Sequence, residues 1–385
     1  MNGFKVELMN NILPFWMEKM QDNEHGGFYG CVDGNDMLHP QANKGAILNA
    51  RILWTFAAAY RLLGTPEYLT VATRAFDYIK TYFIDKKHGG VYWELDYEGE
   101  PVNRKKQTYA QGFALYGFSE YYRATGNEEA LELAKSFFRL IEEKCLDKKY
   151  GGYFEAFAED WQAIDDMRLS EKDDNEKKTM NTHLHVLEPY TNLCRVWDSE
   201  ELKEAQTKLI DIFTDKILDK SSYHLNLFFD EQWTLKSSAV SYGHDIEASW
   251  LLLEAAEVLG NKELLERIKN ISLKIADAAS EGLLPDGSLA YEYNNGHTDT
   301  ERHWWVQAEA VVGYMYAYGA SGNENYREKA KRVWDYIQTY LIDRKNGEWH
   351  WSRKLDNTIN RAEDKAGFWK CPYHNGRMCI ELIDF

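Results

Sequence analysis

The sequence has few of the features that stabilise small secreted proteins or hold a chain in a membrane. Its five cysteines are odd in number and include no Cys-x-x-Cys pair. We therefore expect neither a disulfide framework nor a structural zinc site, and a reducing cytoplasm suits such a chain. Met1 to Trp16 lacks the basic and apolar regions of a signal peptide, and no apolar run approaches the roughly 18 residues of a membrane span. The cysteines lie at Cys31, Cys145, Cys194, Cys371 and Cys379.

The chain also has fewer basic than acidic residues. Lys and Arg number 45 against 62 Asp and Glu, which gives a formal net charge of −17. Such a surface repels a phosphate backbone, so nucleic acid is not an expected partner. There is no Gly-rich phosphate-binding turn, so we expect no nicotinamide cofactor. Aromatic residues are abundant, with 13 Trp and 25 Tyr, and their flat rings suit sugar stacking as well as core packing.

Glycine pairs followed by aromatic residues recur at a regular spacing. They begin at Gly26, Gly89 and Gly151, and weaker versions follow near His224, Asp286 and Asn346. The spacing of about one-sixth of the chain indicates six repeats. Alternating apolar residues after the glycines predict short strands or hairpins.

Paired helical patterns fill the intervals between these signals. Gly64-Thr65-Pro66 and Thr125-Gly126-Asn127 have the composition of helix–stop–helix junctions. About twelve helices with six hairpin-bearing connections predict an all-α (α/α)6 barrel, in which residues 1–385 form a single catalytic domain. The alternative is an open α-solenoid. The predicted helices cover Phe4–Met20, Lys44–Gly64, Pro66–Asp85, Lys105–Gly126, Asn127–Asp147, Met180–Asp198, Glu200–Lys220, Tyr242–Gly260, Lys262–Gly282, Glu301–Gly319, Glu324–Asp343 and His374–Phe385.

In such a barrel, six inner helices form a ring that outer helices surround. If this ring closes, the inner helices all begin at the same end, the rim, where polar and aromatic residues collect. His244 lies in the first turn of such a helix, and Glu247 is three residues later on the same face. A histidine is readily poised as a base near neutral pH, and we expect the adjacent carboxylate to fix its tautomer. The other candidates at this rim are Arg51, Tyr109, Asn181, His185, Trp304, Trp305 and His374.

Two further histidines occur at His183 and His185. On a helix they face different directions, so they are not expected to chelate one metal together. His185 and Glu188 repeat the His-x-x-Glu spacing, which favours one shared site, whereas His183 is interpreted as a structural histidine. A divalent-metal site is the alternative, but the order is the reverse of the Glu-x-x-His motif of di-iron bundles, and we expect no metal. A glycosidase with Glu188 and Glu247 as its carboxylates would leave the histidines without a role.

The third cluster runs from Trp369 to Arg377, with His374 opening the last helix. Its aromatic residues suggest a wall for sugar stacking, and the alternative is a core clasp for the final helix. The charged run from Glu171 to Lys178 is interpreted as a solvated loop.

The motifs at 181–185, 244–250 and 369–377 resemble those of the cellobiose 2-epimerases, within the N-acylglucosamine 2-epimerase superfamily. The resemblance runs essentially end to end and is loosest just before Arg51. It implies an (α/α)6 barrel and reversible epimerisation at C2 of the reducing-end glucose of β-1,4-linked disaccharides. No metal or nucleotide is implied.

The resemblance also implies roles for residues. His244 and His374 match the family's paired acid/base histidines, and His185 matches a third histidine near the C1 oxygen. The remaining matches are polar contacts to the sugar or supporting polar residues at Arg51, Tyr109, Asn181 and Glu247, and stacking positions at Trp304, Trp305 and Trp369. The expected partner is a disaccharide, and the expected state is a cytoplasmic monomer.

The chemistry of an aldose agrees with these residues. Loss of the C2 proton gives a cis-enediolate, which Arg51 can stabilise, and a second histidine can return a proton to the opposite face. If the proton returns to C1 instead, the product is a ketose. An aldose–ketose isomerase acting on mannose or glucose is therefore the alternative, and a noncatalytic sugar-binding barrel is a third.

Overall fold

The computed structural model describes residues 3–384 and is mostly helical. Within that range thirteen α-helical segments occur. They are α1 (Phe4–Glu7), α2 (Leu13–Lys19), α3 (Ala46–Leu63), α4 (Pro66–Tyr78), α5 (Thr108–Thr125), α6 (Glu128–Lys144), α7 (Met180–Cys194), α8 (Glu200–Ile212), α9 (Tyr242–Leu259), α10 (Lys262–Ala279), α11 (Trp304–Ser321), α12 (Glu324–Tyr336) and α13 (His374–Glu381).

These helices form an (α/α)6 barrel, which confirms the predicted fold class. Helices α3, α5, α7, α9, α11 and α13 pack in that order, and α13 packs back on α3 to close the ring. Closure excludes the open solenoid. The inner helices are buried along most of their length, whereas outer helices such as α6 and α10 bury one apolar stripe.

Local sequence explains most helix ends. Gly64, Gly126, Gly260 and Gly322 follow the inner helices with φ of 68°, 70°, 71° and 69°, in the left-handed region that glycine enters without steric cost. Pro66 opens α4 as predicted, at a position whose backbone N–H has no helical partner.

Several helix ends differ from the predicted ranges. A π-helical turn at Leu8–Ile12 joins α1 to α2, and similar turns follow α4, α8 and α12. The predicted helix from Glu301 begins at Trp304, because Arg302–His303 forms a strand. The last helix ends at Glu381, and Phe385 lies outside the described residues.

Strands are short and lie at the rim. They are β1 (Lys44–Gly45), β2 (Glu94–Leu95), β3 (Pro101–Asn103), β4 (Lys106–Gln107), β5 (Ala156–Phe157), β6 (Lys178–Thr179), β7 (Phe228–Phe229), β8 (Val240–Ser241), β9 (Glu292–Asn294), β10 (His297–Asp299), β11 (Arg302–His303) and β12 (Ser352–Arg353).

The strands connect neighbouring repeats and align the inner helices. β1, β4, β6, β8 and β11 each run directly into an inner helix and pair antiparallel with a strand of the following connection. Six isolated bridges mark the six predicted hairpins. They join Gln21 to Phe28, Ile84 to Val91, Leu146 to Tyr153, Leu218 to Leu225, Leu283 to Leu289, and Ile342 to Trp349.

A buried ion pair fastens most of these hairpins to the next strand. Lys106 Nζ lies 2.8 Å from Asp85 Oδ2, and both side chains are almost fully buried. Burial by itself raises the pKa of Asp85, but the hydrogen bonds from Lys106 and from two backbone N–H groups lower it to about 2. Equivalent pairs are Lys44–Asp22, Lys178–Asp147, Arg302–Asp286 and Lys365–Asp343.

Two further expectations from the sequence concern disulfide bonds and membrane-spanning helices. All five cysteines are free thiols. Among the described residues, none of the helices combines the length and apolar character that crossing a membrane requires.

Candidate active site

A cavity of about 430 Å³ opens at the rim where the inner helices begin. Its volume falls in the range of about 300–1,000 Å³ that is usual for small-molecule sites. All ten residues proposed from the sequence line it, namely Arg51, Tyr109, Asn181, His185, His244, Glu247, Trp304, Trp305, Trp369 and His374.

A layer of six side chains at the base of the cavity reflects the repeat, and three of the six line the cavity itself. The sixth residue of each of the first five inner helices points to a common level, and Arg377 of the shorter α13 joins them. All six side chains are buried. Charged or polar side chains at this depth are costly unless they pair, so their partners decide their ionisation. The six are Arg51, Phe113, His185, Glu247, Glu309 and Arg377.

His185 is held by the carboxylate predicted for it. Its Nδ1 lies 2.5 Å from Glu188 Oε1, one turn later on α7. The other oxygen of Glu188 accepts hydrogen bonds from the Tyr373 hydroxyl and from Arg377. With Nδ1 occupied, the Nε2 side of the ring is available to the cavity.

The predicted pairing of His244 with Glu247 is wrong. His244 Nδ1 instead lies 2.8 Å from the Ser241 hydroxyl, on the residue that precedes α9. Glu247 turns to a stronger partner, because its Oε1 accepts a hydrogen bond of 2.6 Å from the buried Arg377 guanidinium. Two histidines with the same sequence spacing thus have different partners.

His374 completes a set of three histidines in the cavity. Its Nδ1 lies 2.7 Å from Glu309 Oε1 on α11 and 3.8 Å from Glu247 Oε1 on α9. The Trp305 ring contacts both acid/base candidates, with ring centroids 4.7 Å from His244 and 5.7 Å from His374. The two imidazoles therefore share one indole wall.

Burial keeps the histidines neutral. Together with nearby His185 and His374, it lowers the pKa of His244 to about 3. Burial also lowers the pKa of His374 to about 3, although Glu309 opposes the shift. The pKa of His185 is lowered for the same reason, against the opposing effect of Glu188. A neutral imidazole is the form that accepts a proton.

Arg377 and Glu309 do not line the cavity but bond residues that do, and the sequence prediction gave them no role. Arg377 bonds Glu188, and it donates to Glu247 at 2.6 Å and to Glu309 at 2.7 Å. The available signal was the presence of charged residues inside apolar inner helices. Recognising this signal requires knowing that the sixth residues of the inner helices lie close together, which only the closed ring shows.

Arg51 lies on α3, next to α13 in the ring. Its Nη2 donates to the Tyr109 hydroxyl at 2.8 Å, and its Nη1 donates to the Trp369 carbonyl at 3.3 Å. The guanidinium stands 4.3 Å from the Phe113 ring centroid. Its Nε is buried and has no hydrogen-bond partner among residues 3–384.

Aromatic rings form much of the wall. Trp369 packs 5.8 Å from Trp93, and Trp304 packs 4.5 Å from Trp351, which also lines the cavity and was not predicted. Both indole N–H groups of the Trp304–Trp351 pair lack a protein acceptor. Asn181 is half-buried, and its Oδ1 is likewise without a donor.

The solvated-loop interpretation of Glu171 to Lys178 is only partly right. Glu171, Lys172 and Asp174 are exposed, but the loop also lines the mouth of the cavity. Lys178 is fully buried, because its ammonium pairs with Asp147 at 2.7 Å. The mouth is rich in carboxylates, which come from Glu171, Asp173, Asp174, Glu176, Glu292 and Glu363.

His183 takes the structural role expected of it. Its Nε2 accepts the Tyr153 backbone N–H at 2.9 Å, and its Nδ1 lies 2.6 Å from the Thr179 carbonyl. Both ring nitrogens are therefore used in joining α7 to the hairpin.

A metal could be considered for one group of side chains. Glu247, Glu309 and His374 place ligand atoms within 4.8 Å of one another. Arg377, however, already donates to both carboxylates, and its positive charge stands where a cation would neutralise them. The donor set therefore does not fit a divalent ion well.

The comparisons with known proteins agree with this geometry. The N-acylglucosamine 2-epimerase (GlcNAc 2-epimerase) family model matches residues 27–376. A cellobiose 2-epimerase of Bacteroides fragilis is 56% identical over 379 residues, which cover 98% of this chain and 97% of that one. A cellobiose 2-epimerase of Ruminococcus albus is 43% identical over 380 residues, covering 98% and 97%.

A solved structure shows the same similarity in three dimensions. The cellobiose 2-epimerase from Bacillus thermoamylovorans B4167 superposes with a TM-score of 0.96 at 45% identity, covering 100% of this chain and 98% of that one. The resemblance inferred from the three motifs is thereby confirmed, and a noncatalytic barrel is set aside. The chain belongs to the N-acylglucosamine 2-epimerase family and is a carbohydrate epimerase, an enzyme of the isomerase class.

Proposed function

We propose that the chain reversibly epimerises C2 of the reducing-end glucose of β-1,4-linked disaccharides, converting cellobiose to glucosyl-mannose and lactose to epilactose. The observation that carries the proposal is the set of three histidines in one cavity, each with Nδ1 fixed. The names of the relatives at 56% and 43% identity support the disaccharide class.

The first step is removal of the C2 proton from the open-chain sugar. One of the pair His244 and His374 accepts this proton at Nε2, and the C–H electrons move into the C1 carbonyl to give a cis-enediolate. Burial keeps both imidazoles neutral and so able to act as bases.

The second step returns a proton to the opposite face of C2. The other histidine of the pair donates it, after taking it from a group in exchange with water. The negative charge of the enediolate stabilises an imidazolium nearby, which favours this transfer. Because two histidines serve two faces, C2 is inverted.

Two further groups act on the oxygens. Arg51 lines the cavity, and its guanidinium charge can stabilise the enediolate. His185, oriented by Glu188, assists proton movement at the C1 oxygen. Tyr109 holds Arg51, while Asn181 and the indoles of Trp304, Trp305 and Trp369 contact the sugar rings.

The remaining proposals concern the protein as a whole. We infer that residues 1–385 form one catalytic domain, a monomer that works in the cytoplasm without metal or nucleotide. The acidic mouth of the cavity suits an uncharged sugar rather than a nucleic acid or another anion.

Aldose–ketose isomerisation remains the second candidate. It requires the same enediolate and the same first base, and differs only in that the proton returns to C1. The product separates the two reactions, since mannose at the reducing end indicates epimerisation and fructose indicates isomerisation.

Incubation in deuterium oxide tests product and mechanism together. With cellobiose or lactose, we expect a mannose-type product carrying deuterium at C2, because the incoming proton comes from an exchangeable group. His185→Asn should slow the reaction without changing the label. Chromatography and proton NMR measure both results. Retention of the original hydrogen at C2 would rule out proton transfer between two histidines, and a fructose-type product would favour isomerisation.

Metal removal should leave the rate unchanged. Arg377 supplies the positive charge next to Glu247 and Glu309, so no divalent ion is required there. The measurement is the initial epimerisation rate before and after exhaustive dialysis against a strong chelator. Loss of activity that a single divalent ion restores would show that this prediction is wrong.

A further inference from the structure

Three glutamates from successive inner helices converge on one guanidinium. Glu188 of α7, Glu247 of α9 and Glu309 of α11 each accept a hydrogen bond from Arg377. All four side chains are essentially inaccessible to solvent. In a buried site, ionising all three acids beside one arginine is costly. The hydrogen-bond pattern of each carboxyl group therefore indicates whether it is ionised.

Glu188 and Glu309 accept hydrogen bonds at both oxygens. In Glu188, Oε1 faces His185 Nδ1 and Oε2 faces Arg377 and Tyr373. In Glu309, Oε1 faces His374 Nδ1 and Arg377, and Oε2 accepts the Trp250 indole N–H at 3.0 Å. A carboxyl group surrounded only by donors is ionised, because a proton on either oxygen would meet another hydrogen.

Glu247 has a different pattern. Its Oε1 accepts from Arg377 at 2.6 Å, whereas its buried Oε2 has no hydrogen-bond partner among the described residues. A carboxylate oxygen buried without a donor carries a large desolvation cost. A proton on Oε2 removes that charge from a residue that lines the cavity.

The charge balance agrees with a neutral Glu247. Ionised Glu188 and Glu309 are offset by Arg377 and by Arg51 of the neighbouring α3, which leaves the set electrically neutral. Burial raises the pKa of Glu247 well above its ordinary value, and Glu309 raises it further, although Arg377 opposes the shift. The titratable groups facing Glu247 are Glu188 and His185 from α7, Glu309 from α11, His374 and Arg377 from α13, Arg51 from α3, Tyr109 from α5 and His244 from α9 itself.

We propose that Glu247 is the neutral carboxylic acid of this cluster, with its proton on Oε2. The proposal rests on the proposed function, because it concerns the anionic enediolate. A third carboxylate beside the cavity would repel that anion, whereas a neutral acid does not. Glu247 therefore acts as an acid that stays protonated through turnover.

Matched glutamine substitutions test the assignment. In Glu247→Gln the amide oxygen replaces Oε1 and the NH2 replaces the Oε2 hydroxyl, so we expect kcat/KM within about tenfold of the parent. Glu188→Gln and Glu309→Gln place an NH2 against existing donors, and each should lose at least about 100-fold. A loss of more than tenfold in folded Glu247→Gln would overturn the proposal.

The pH profile and an infrared measurement give independent results. Ionisation of Glu247 at high pH should reduce kcat/KM of the parent, and Glu247→Gln should lack that alkaline decline. The infrared difference spectrum of free enzyme, parent minus Glu247→Gln, should show the C=O stretch of a protonated carboxyl group. Absence of that band, or an unchanged alkaline decline, contradicts the proposal. The band needs no substrate, so it still tests Glu247 if the parent epimerises no disaccharide.

Discussion

Replacing His244 or His374 by asparagine is expected to lower kcat/KM for epimerisation by about 10²- to 10⁴-fold, the usual contribution of general acid–base catalysis. Asparagine keeps a polar atom near the position of Nδ1 but cannot exchange a proton. His244→Asn would keep a hydrogen-bond partner for the Ser241 hydroxyl, and His374→Asn would keep one for the Glu309 carboxylate. Because the fold is not expected to change, the loss should appear in turnover and not in the thermal midpoint.

The measurement is the initial rate of epimer formation, together with circular dichroism of each variant. His297→Asn is the control, since His297 is exposed on β10 outside the cavity and its replacement should leave the rate unchanged. Near-normal turnover by a folded His244 or His374 variant would remove that histidine from the mechanism.

Replacing Arg377 by methionine is expected to lower the free energy of unfolding by about 3–5 kcal/mol, the usual cost of removing one partner from a buried ionic cluster. Glu188, Glu247 and Glu309 would all lose a donor at once. The side-chain volume is nearly kept, so the effect reports charge more than packing. Activity should be lost as well, because Glu188 and Glu309 orient two of the histidines.

Urea unfolding followed by fluorescence and circular dichroism measures this change. Arg267→Met is the matched control, because Arg267 pairs with Asp211 at 2.6 Å but both side chains are about half exposed. Exposed pairs contribute about 0–1 kcal/mol, so its midpoint should barely move. Equal midpoints for the two variants would show that the buried cluster does not stabilise the fold.

Much of the fold could be predicted because it repeats. The glycine pairs at 26, 89 and 151 mark hairpins whose spacing leaves room for two helices each. Junctions such as Gly64-Thr65-Pro66 fix where helices stop and start by backbone geometry alone. The π-helical ends of α4, α8 and α12 could not be predicted, because they depend on packing against the hairpins.

The site was predictable as a set of residues but not as a set of contacts. All ten proposed residues line one cavity, yet the same His-x-x-Glu spacing gives a direct pair at His185 and none at His244. The difference arises from Arg377, which is 130 residues away in sequence from Glu247. A spacing rule predicts contacts between neighbours on one helix. It cannot predict that a residue from another helix, here Arg377, binds one of them more strongly.

The position of Arg377 on the last inner helix affects the order in which the enzyme becomes active during synthesis. The ribosome releases Glu188, Glu247 and Glu309 first, and Arg377 follows Glu309 by 68 residues. At about 5–20 residues per second, the nascent chain carries three unpaired acids for roughly 3 to 14 seconds. Burying these acids unpaired is costly, so we expect the barrel to close only when α13 packs. Because α13 also carries His374, closure and catalytic competence should coincide.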